Sequence, residues 1–464
     1  MMRLGLLLCL LLTGHPAVAN TWEYRLRFQP ADESLQMRVC PPADDQIVRL
    51  RATSGEAAQY LLRSATRWQR NGRNMSAEST GCAYYRVAMG HLTNRRERGH
   101  GYKIGDDLLS WPDKWLWWPA DRQAQIELTA DLPAGWQIST PWPQPDTTRP
   151  VFRLGGWPRS WPALVALGRF QIQRLRHGAG RIDLALIGPL DAAQRAKLTR
   201  WADYTTGLLD QAGGFPLPQA QVLVVPIGGG NGPVPWGQVY RAGYGAVHFF
   251  VNADLSYQTF VDDWTGAHEL SHLLHPYLGD GGRWMGEGLA SYYQNLLRIR
   301  SGDLSTFQGW QKLVQGFERG RKDRAQNQTL GDVSDNMHRN RAYMRVYWSG
   351  AAYWLQTDVE LRRRSGGKQS LDQLLKRFAE GHLPAQRTWR PIEFARELDR
   401  LAELRIFEPA LMEAESAMNF PDLRPLWQDL GLRTNGSNQL QGFDNDAPLA
   451  SIRLDINRPM DGKN

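Results

Sequence analysis

The sequence predicts an α+β protein in which a β-rich N-terminal domain precedes a mostly helical domain built around a small sheet. Three observations carry this expectation. Short runs of period-two alternation, broken by Pro, Gly and Asp, extend from Thr21 to about Asp183. Two apolar strand-like runs follow at Ala220–Ile227 and Gly243–Val251, and from Asp262 to about Gly431 the apolar residues recur at helical spacing. A chain of 464 residues is long enough for more than one domain, each with its own core.

At the start, Met1-Met2-Arg3 is positively charged, Leu4–Leu12 is almost wholly apolar, and Ala17-Val18-Ala19 offers the small residues an export peptidase reads. Residues 1–19 are therefore expected to be a cleaved signal peptide, and the mature protein to be periplasmic or secreted. Lipidation at Cys9 is the weaker reading, because Leu8 stands where a lipoprotein signal places a small residue. No later run reaches the roughly 18 uninterrupted apolar residues of a membrane helix, so stable membrane insertion is not expected. Removal of the signal leaves Cys40 and Cys82. In an oxidising compartment an even pair outside a Cys-x-x-Cys motif predicts a disulfide.

The β-type runs are Trp22–Phe28, Gln46–Arg51, Ala124–Thr129 and Phe170–Leu175, which assign residues 20–185 to the first domain. The chain has 19 tryptophans, and the cluster Trp111, Trp115, Trp117 and Trp118 fits core packing better than a stacking surface. Ala192–Ala212 then reads as a helix and Ala220–Ile227 as a buried strand, opening a second domain over 186–385. The loop Gly228-Gly229-Gly230-Asn231-Gly232 lacks the Gly-Lys-Ser/Thr of a phosphate cradle and reads as a connection. Residues 386–464 are expected to add helices and a polar tail, with a strand at Leu449–Ile456. The formal charge of +8 is spread along the chain, and its densest run, Arg95-Arg96-Glu97-Arg98, resembles a solvated loop, so nucleic acid is not an expected partner.

The chemistry is concentrated in Ala267-His268-Glu269-Leu270-Ser271-His272. On a helix, residues four apart lie one above the other, so His268 and His272 can grip one ion. Glu269 projects roughly 100° around the helix from His268, beside the metal, where it can take a proton from water. Asp262 or Asp263 can cap the start of this helix and Pro276 marks its end. A second helical run contains Trp284-Met285-Gly286-Glu287-Gly288-Leu289-Ala290, and the turn Gly279-Asp280-Gly281-Gly282 lets it fold back on the first. Glu287 then becomes a third ligand and leaves a fourth position open, as catalytic zinc requires. One zinc per chain is expected.

The pairing of His268-Glu269-Leu270-Ser271-His272 with Gly286-Glu287-Gly288-Leu289-Ala290 resembles the gluzincins. These form the thermolysin-like superfamily that includes aminopeptidase N and leucotriene A4 hydrolase. Within it, the likeness is greatest to the glycyl aminopeptidase-like peptidases. Val346–Ala352 resembles the helix that carries their catalytic tyrosine, and Asp358–Arg362, Ser370–Leu375 and Leu132–Trp136 also match that pattern. The resemblance implies a thermolysin-like catalytic domain and a peptide or protein substrate. It implies zinc held by His268, His272 and Glu287, with Glu269 as general base and Tyr347 as oxyanion stabiliser. His275 reads as a structural histidine, with a place behind the ligands or beside the substrate as the alternative.

Three departures bear on specificity. Exopeptidases of the superfamily hold the substrate's free amine with a glutamate on a strand before the zinc helix, yet no Asp or Glu lies between Pro233 and Asn252. Gly245, Ala246 and His248 stand at the expected place, while Asp254 or Asp280 could supply an acid from elsewhere. Ser349 replaces a basic residue common on the tyrosine helix, and the length leaves no room for the PDZ domain of many relatives. Exo- or endopeptidase action and oligomeric state stay open. The alternative function is a peptide- or glycan-binding protein on the same scaffold, which the intact Glu269 and ligand set disfavour.

Overall fold

The computed structural model describes residues 20–460 apart from 43–46, 80, 95–100, 147, 162, 242, 436 and 438. The expected signal peptide and the basic run at 95–98 lie outside the described residues. The N-terminal part is built from strands, as the alternation predicts. In Thr21–Gln29 the residues Trp22, Tyr24, Leu26 and Phe28 are buried and those between them are exposed, so one face is apolar and the other wet. This strand sits inside a six-stranded sheet, parallel to Gln125–Asp131 and antiparallel to Ser34–Cys40.

A four-stranded sheet that includes Ile47–Ala52 shares its core with the first, and Trp115, Trp117 and Trp118 are buried in that common core. Cys40 and Cys82 are joined by a disulfide across a sequence separation of 42 residues.

A third sheet, with the order Gln137–Ser139, Val165–Gly168, Asp107–Ser110, Gly101–Ile104, connects this region to the rest of the molecule. Its Leu109 and Ala166 pack with Ala185, Leu223, Val225 and Phe250 of a five-stranded sheet. That fifth-strand layer runs in the order Ile172–His177, Gly180–Leu186, Gln219–Pro226, Ala246–Val251, Trp236–Tyr240. Its opposite face, with Val222, Val224, Val247, Phe249 and Val251, packs against the helices. Two of its three interior strands, Gln219–Pro226 and Ala246–Val251, are buried on both sides, which is why they read as continuous apolar runs rather than as alternations.

Two expectations fail here. Phe170–Leu175 is not part of the N-terminal sheets: Ile172–His177 is the outer strand of the five-stranded sheet, and its one wet face gives it the same alternation as the earlier strands. Leu449–Ile456 is not a strand, because Ala450–Ile456 is helical and turns Ala450, Ile452 and Ile456 inward. In seven residues an apolar alternation and a helical face overlap, and tertiary contact decides between them.

The helical layer is centred on Arg283–Arg300 and Tyr343–Arg364. They cross at two glycines. A Cβ on Gly350 would stand 1.9 Å from the Trp284 carbonyl oxygen, and one on Gly288 would stand 2.3 Å from the Gly350 backbone. Below the crossing, a buried polar network ties three helices together. Arg300 donates to both oxygens of Asp372 at 2.9 and 3.1 Å, Tyr293 donates to Asp372 at 2.8 Å, and Arg362 and Tyr292 donate to Asp358 at 3.0 Å. Asp358, Arg362 and Asp372 are thus structural members of the motifs noted in the sequence. Among the described residues no helix is long and apolar enough to cross a membrane.

Candidate metal centre

His268 and Glu269 lie on the helix Thr265–Ser271, and His272 opens the 3-10 turn His272–Leu274 that continues it. Asp263 receives the Thr265 N–H at 2.7 Å just ahead of the helix, while Asp262 does not cap it. The turn at residues 279–282 returns the chain, and Glu287 on the next helix faces both imidazoles. The ligand atoms of His268, His272 and Glu287 all lie within 4.8 Å of one another. Glu287 Oε2 is 3.2 Å from His268 Nε2 and 3.5 Å from His272 Nε2.

The partners on the far side of each ring fix what those atoms are. His268 Nδ1 meets the carbonyl oxygen of Gln294 at 2.8 Å, so the ring proton belongs on Nδ1 and Nε2 presents a lone pair. For His272 the assignment passes through His275. The Pro276 carbonyl accepts from His275 Nδ1 at 2.7 Å, which leaves His275 Nε2 as the acceptor for His272 Nδ1 at 3.2 Å. His272 Nε2 is then a lone pair too. Burial, assisted by the Arg241 cation, holds the His275 pKa well below the usual imidazole range and keeps that ring neutral. A Cβ on Gly286 would come within 3.0 Å of the His275 ring, so this glycine makes room for it.

Two imidazole lone pairs and a carboxylate thus converge on one point, an arrangement that repels itself unless a cation sits between them. Ligands about 2.0–2.1 Å from a tetrahedral zinc stand about 3.3 Å apart, and the two distances to Glu287 bracket that value. The donor set therefore fits zinc. Without an ion the same repulsion appears in the proton affinities. Burial opposes a charge on His268, but Glu287 and Glu269 outweigh it and raise its pKa; burial would raise that of Glu287, but the two imidazoles hold it well below the carboxylate range.

Glu269 is half-buried, and burial, partly offset by His268 and His272, raises its pKa. Its position is fixed by the edge strand Trp236–Tyr240, since a Cβ on Gly237 would come within 2.5 Å of Glu269 Cγ. Tyr347 stacks on the His268 ring at 5.9 Å with the planes 12° apart. Burial, with the Glu287 and Glu269 carboxylates beside it, pushes the Tyr347 phenol up, so it remains a proton donor. Arg241 donates to the His272 carbonyl oxygen at 2.8 Å and places a cation near Glu287 and Glu269.

The substrate-side expectation for His248 is wrong. Side chains alternate along Ala246–Val251: Val247, Phe249 and Val251 face the helices, whereas His248 shares the other face with Phe250. His248 is fully buried, meets Gln221 Oε1 at 3.2 Å and packs against Tyr240 with ring centres 4.9 Å apart; burial lowers its pKa to about 3, so it is neutral. Ala246 is buried beside it, and Gly245 packs against Leu217 and Leu273. The strand that borders the site is Trp236–Tyr240, paired on one side only and also without an acid. Asp254 and Asp280 are engaged elsewhere, with Gln194 at 3.0 Å and Arg283 at 2.6 Å.

Sequence reasoning missed Gln294, Arg241 and the glycines at 237, 288 and 350. Gln294 carried a signal: it stands seven residues after Glu287, two helical turns along the same face, as a polar residue in an apolar run.

No protein-family description matches the chain, and no curated protein matches it in sequence. Solved structures do match. An aminopeptidase N family protein from Idiomarina loihiensis aligns over 89% of this chain and 79% of its own, with a TM-score of 0.63 and 17% identity. An M1 zinc metallopeptidase mutant from Deinococcus radiodurans, bound to a Tyr-Ser-Ala substrate, aligns over 87% of this chain and 95% of its own, with a TM-score of 0.51 and 12% identity. A two-domain M1 zinc metallopeptidase mutant bound to L-tryptophan aligns over the same shares at a TM-score of 0.51 and 13% identity. The chain has the fold of the M1 zinc metallopeptidases, a β-rich N-terminal region followed by a helical C-terminal region.

Proposed function

We propose that the protein is an exported zinc-dependent peptidase that hydrolyses peptide bonds in peptides or proteins. The observation that carries this reading is the convergence of His268 Nε2, His272 Nε2 and Glu287 within 4.8 Å of one another, beside Glu269. The matched fold supports it. His268, His272 and Glu287 would hold one zinc per chain, with Gln294 and His275 orienting the rings. Zinc bound there would supply the Lewis acidity that makes water nucleophilic near neutral pH.

The chain's own groups account for the proton movements. Glu269 takes a proton from the attacking water as the new C–O bond forms, then gives it to the departing nitrogen as the C–N bond breaks. The Tyr347 hydroxyl donates to the carbonyl oxygen as negative charge develops there. The edge strand Trp236–Tyr240 offers unpaired backbone along which an extended substrate can lie. The disulfide agrees with export to an oxidising compartment.

A free amino terminus is a cation, and holding it out of water requires a carboxylate. The edge strand supplies none, and Arg241 adds positive charge instead. Cleavage should therefore tolerate a blocked N-terminus. Matched peptides with free and acetylated termini test this on the zinc-loaded enzyme: comparable rates are expected, and strict dependence on the free amine would restore aminopeptidase action. Glu269→Gln should keep the zinc and lose hydrolysis of both; metal loss or full activity in that variant would overturn the peptidase reading.

A further inference from the structure

Away from the metal centre, on the other side of the helix Tyr343–Arg364, lies a cavity of about 360 Å³ walled on one side by the helix Phe407–Ser416. Arg345 and Ser349, one turn apart, both line it. Tyr347 lies about 200° around the helix from each, so the cavity and the metal site use opposite faces.

Arg345 is fully buried without an ion pair among the described residues. Its Nη1 donates to the Gln326 side-chain oxygen at 2.8 Å and its Nη2 to the Ala417 carbonyl at 3.2 Å, both neutral acceptors. The neighbouring Asp323 carboxylate is taken by the Arg345 backbone N–H at 3.2 Å. Arg345 Nε and the Ser349 hydroxyl, itself 4% exposed, have no partner among the described residues. Asp323 offsets the guanidinium only in part, since burial still lowers the Arg345 pKa; a buried charge without a hydrogen-bonded counter-ion next to orphaned donors is costly, and a bound anion lowers that cost. The lining carries three guanidiniums, Arg345, Arg364 and Arg405, against two carboxylates, Glu360 and Glu413, and Glu360 accepts from Arg363 at 2.8 and 2.9 Å and lies 4.0 Å from Arg364. Leu330, Ile406, Ala410 and Ala414 form an apolar part of the remaining wall, with Gln356 and Asn419 among its polar members. The volume falls in the range of small-molecule sites.

We propose that this cavity is a second ligand site, which takes a small organic anion with its acidic group on Arg345 and Ser349 and its apolar body against the helix Phe407–Ser416. Calorimetric titration of the zinc-loaded full chain with hexanoate, benzoate, hexanol and hexylamine tests it. Hexanoate and benzoate should bind, with hexanol and hexylamine at least about tenfold weaker. Ser349→Ala should weaken hexanoate roughly 10- to 100-fold, the range for one hydrogen bond to a charged group. Ala410→Phe, which fills the cavity and leaves Arg345 intact, should abolish that binding while zinc content and thermal unfolding stay close to wild type. Carboxylate held only by the metal centre would survive Ala410→Phe and overturn the proposal. So would equal affinity for hexanol and hexanoate, or no heat up to about 10 mM.

Discussion

Gln294→Leu isolates the group that decides which nitrogen of His268 carries the proton. The Gln294 oxygen, 2.8 Å from Nδ1, is the acceptor that keeps the proton there. Leucine has a similar bulk and suits the surrounding apolar run, but it accepts nothing. The imidazole of the metal-free protein can then move its proton to Nε2 and donate to Glu287, 3.2 Å away, which turns two ligands into a hydrogen-bonded pair. Zinc must break that pair and restore the tautomer. Loss of such an orienting partner costs about 10- to 100-fold in metal affinity, or about 1.4–2.7 kcal/mol. The lost hydrogen bond itself lowers stability by about 0.5–1.5 kcal/mol. Competition against a zinc-buffering chelator measures the first quantity and denaturant unfolding the second, while kcat at saturating zinc should change little. Gln294→Glu, which gives the ring a stronger acceptor, should bind zinc at least as tightly as wild type. Zinc affinity within twofold of wild type in Gln294→Leu would refute the reasoning.

Three further outcomes follow from the geometry. Tyr347→Phe should retain zinc and fold while turnover falls roughly 10- to 1000-fold, measured at fixed zinc occupancy; an unchanged rate would move oxyanion stabilisation to another group. Gly350→Ala forces a Cβ onto the Trp284 carbonyl oxygen and should destabilise the helix crossing by about 1–3 kcal/mol, with a matching loss of activity as Tyr347 leaves Glu287. Asp372 has its carboxylate pKa lowered: burial would raise it, but Arg300 and Arg362 outweigh burial. A depressed folded value means that its contribution is fully present above the unfolded pKa of about 3.9 and is lost as pH falls through the folded one. Asp372→Asn should therefore cost about 3–5 kcal/mol at neutral pH and flatten the acid limb of the stability profile, read by unfolding between about pH 2 and 7.

Much of the site was legible because it is local. His268, Glu269 and His272 lie within two turns of one helix, and helical geometry alone puts the two imidazoles on one face. Glu287 was legible because a short glycine turn leaves the following helix little choice but to return. The two cysteines were legible by elimination, and the buried strands by their continuous apolar composition. The strand at 236–240 was not: Trp236-Gly237-Gln238-Val239-Tyr240 is half-exposed at a sheet edge and has no strong alternation, so its role as the wall beside Glu269 comes only from pairing.

Sequence by itself determined which donor groups can meet at this centre, since residue type and spacing are set by residue identity and helix periodicity. The tertiary structure decided everything that depends on which face of an element meets which neighbour. His248 has the composition of a site residue and the position of one along the chain, yet strand parity turns it toward Gln221 and away from the candidate metal centre. Gln294 and His275 look ordinary in sequence and become the partners that fix the ligand tautomers, because helix packing brings them behind the rings. Residue order specifies periodicity; the contacts that span 19 to 82 residues, from His268 to Glu287 and from Gln221 to Ser139, arise only when the layers close on one another.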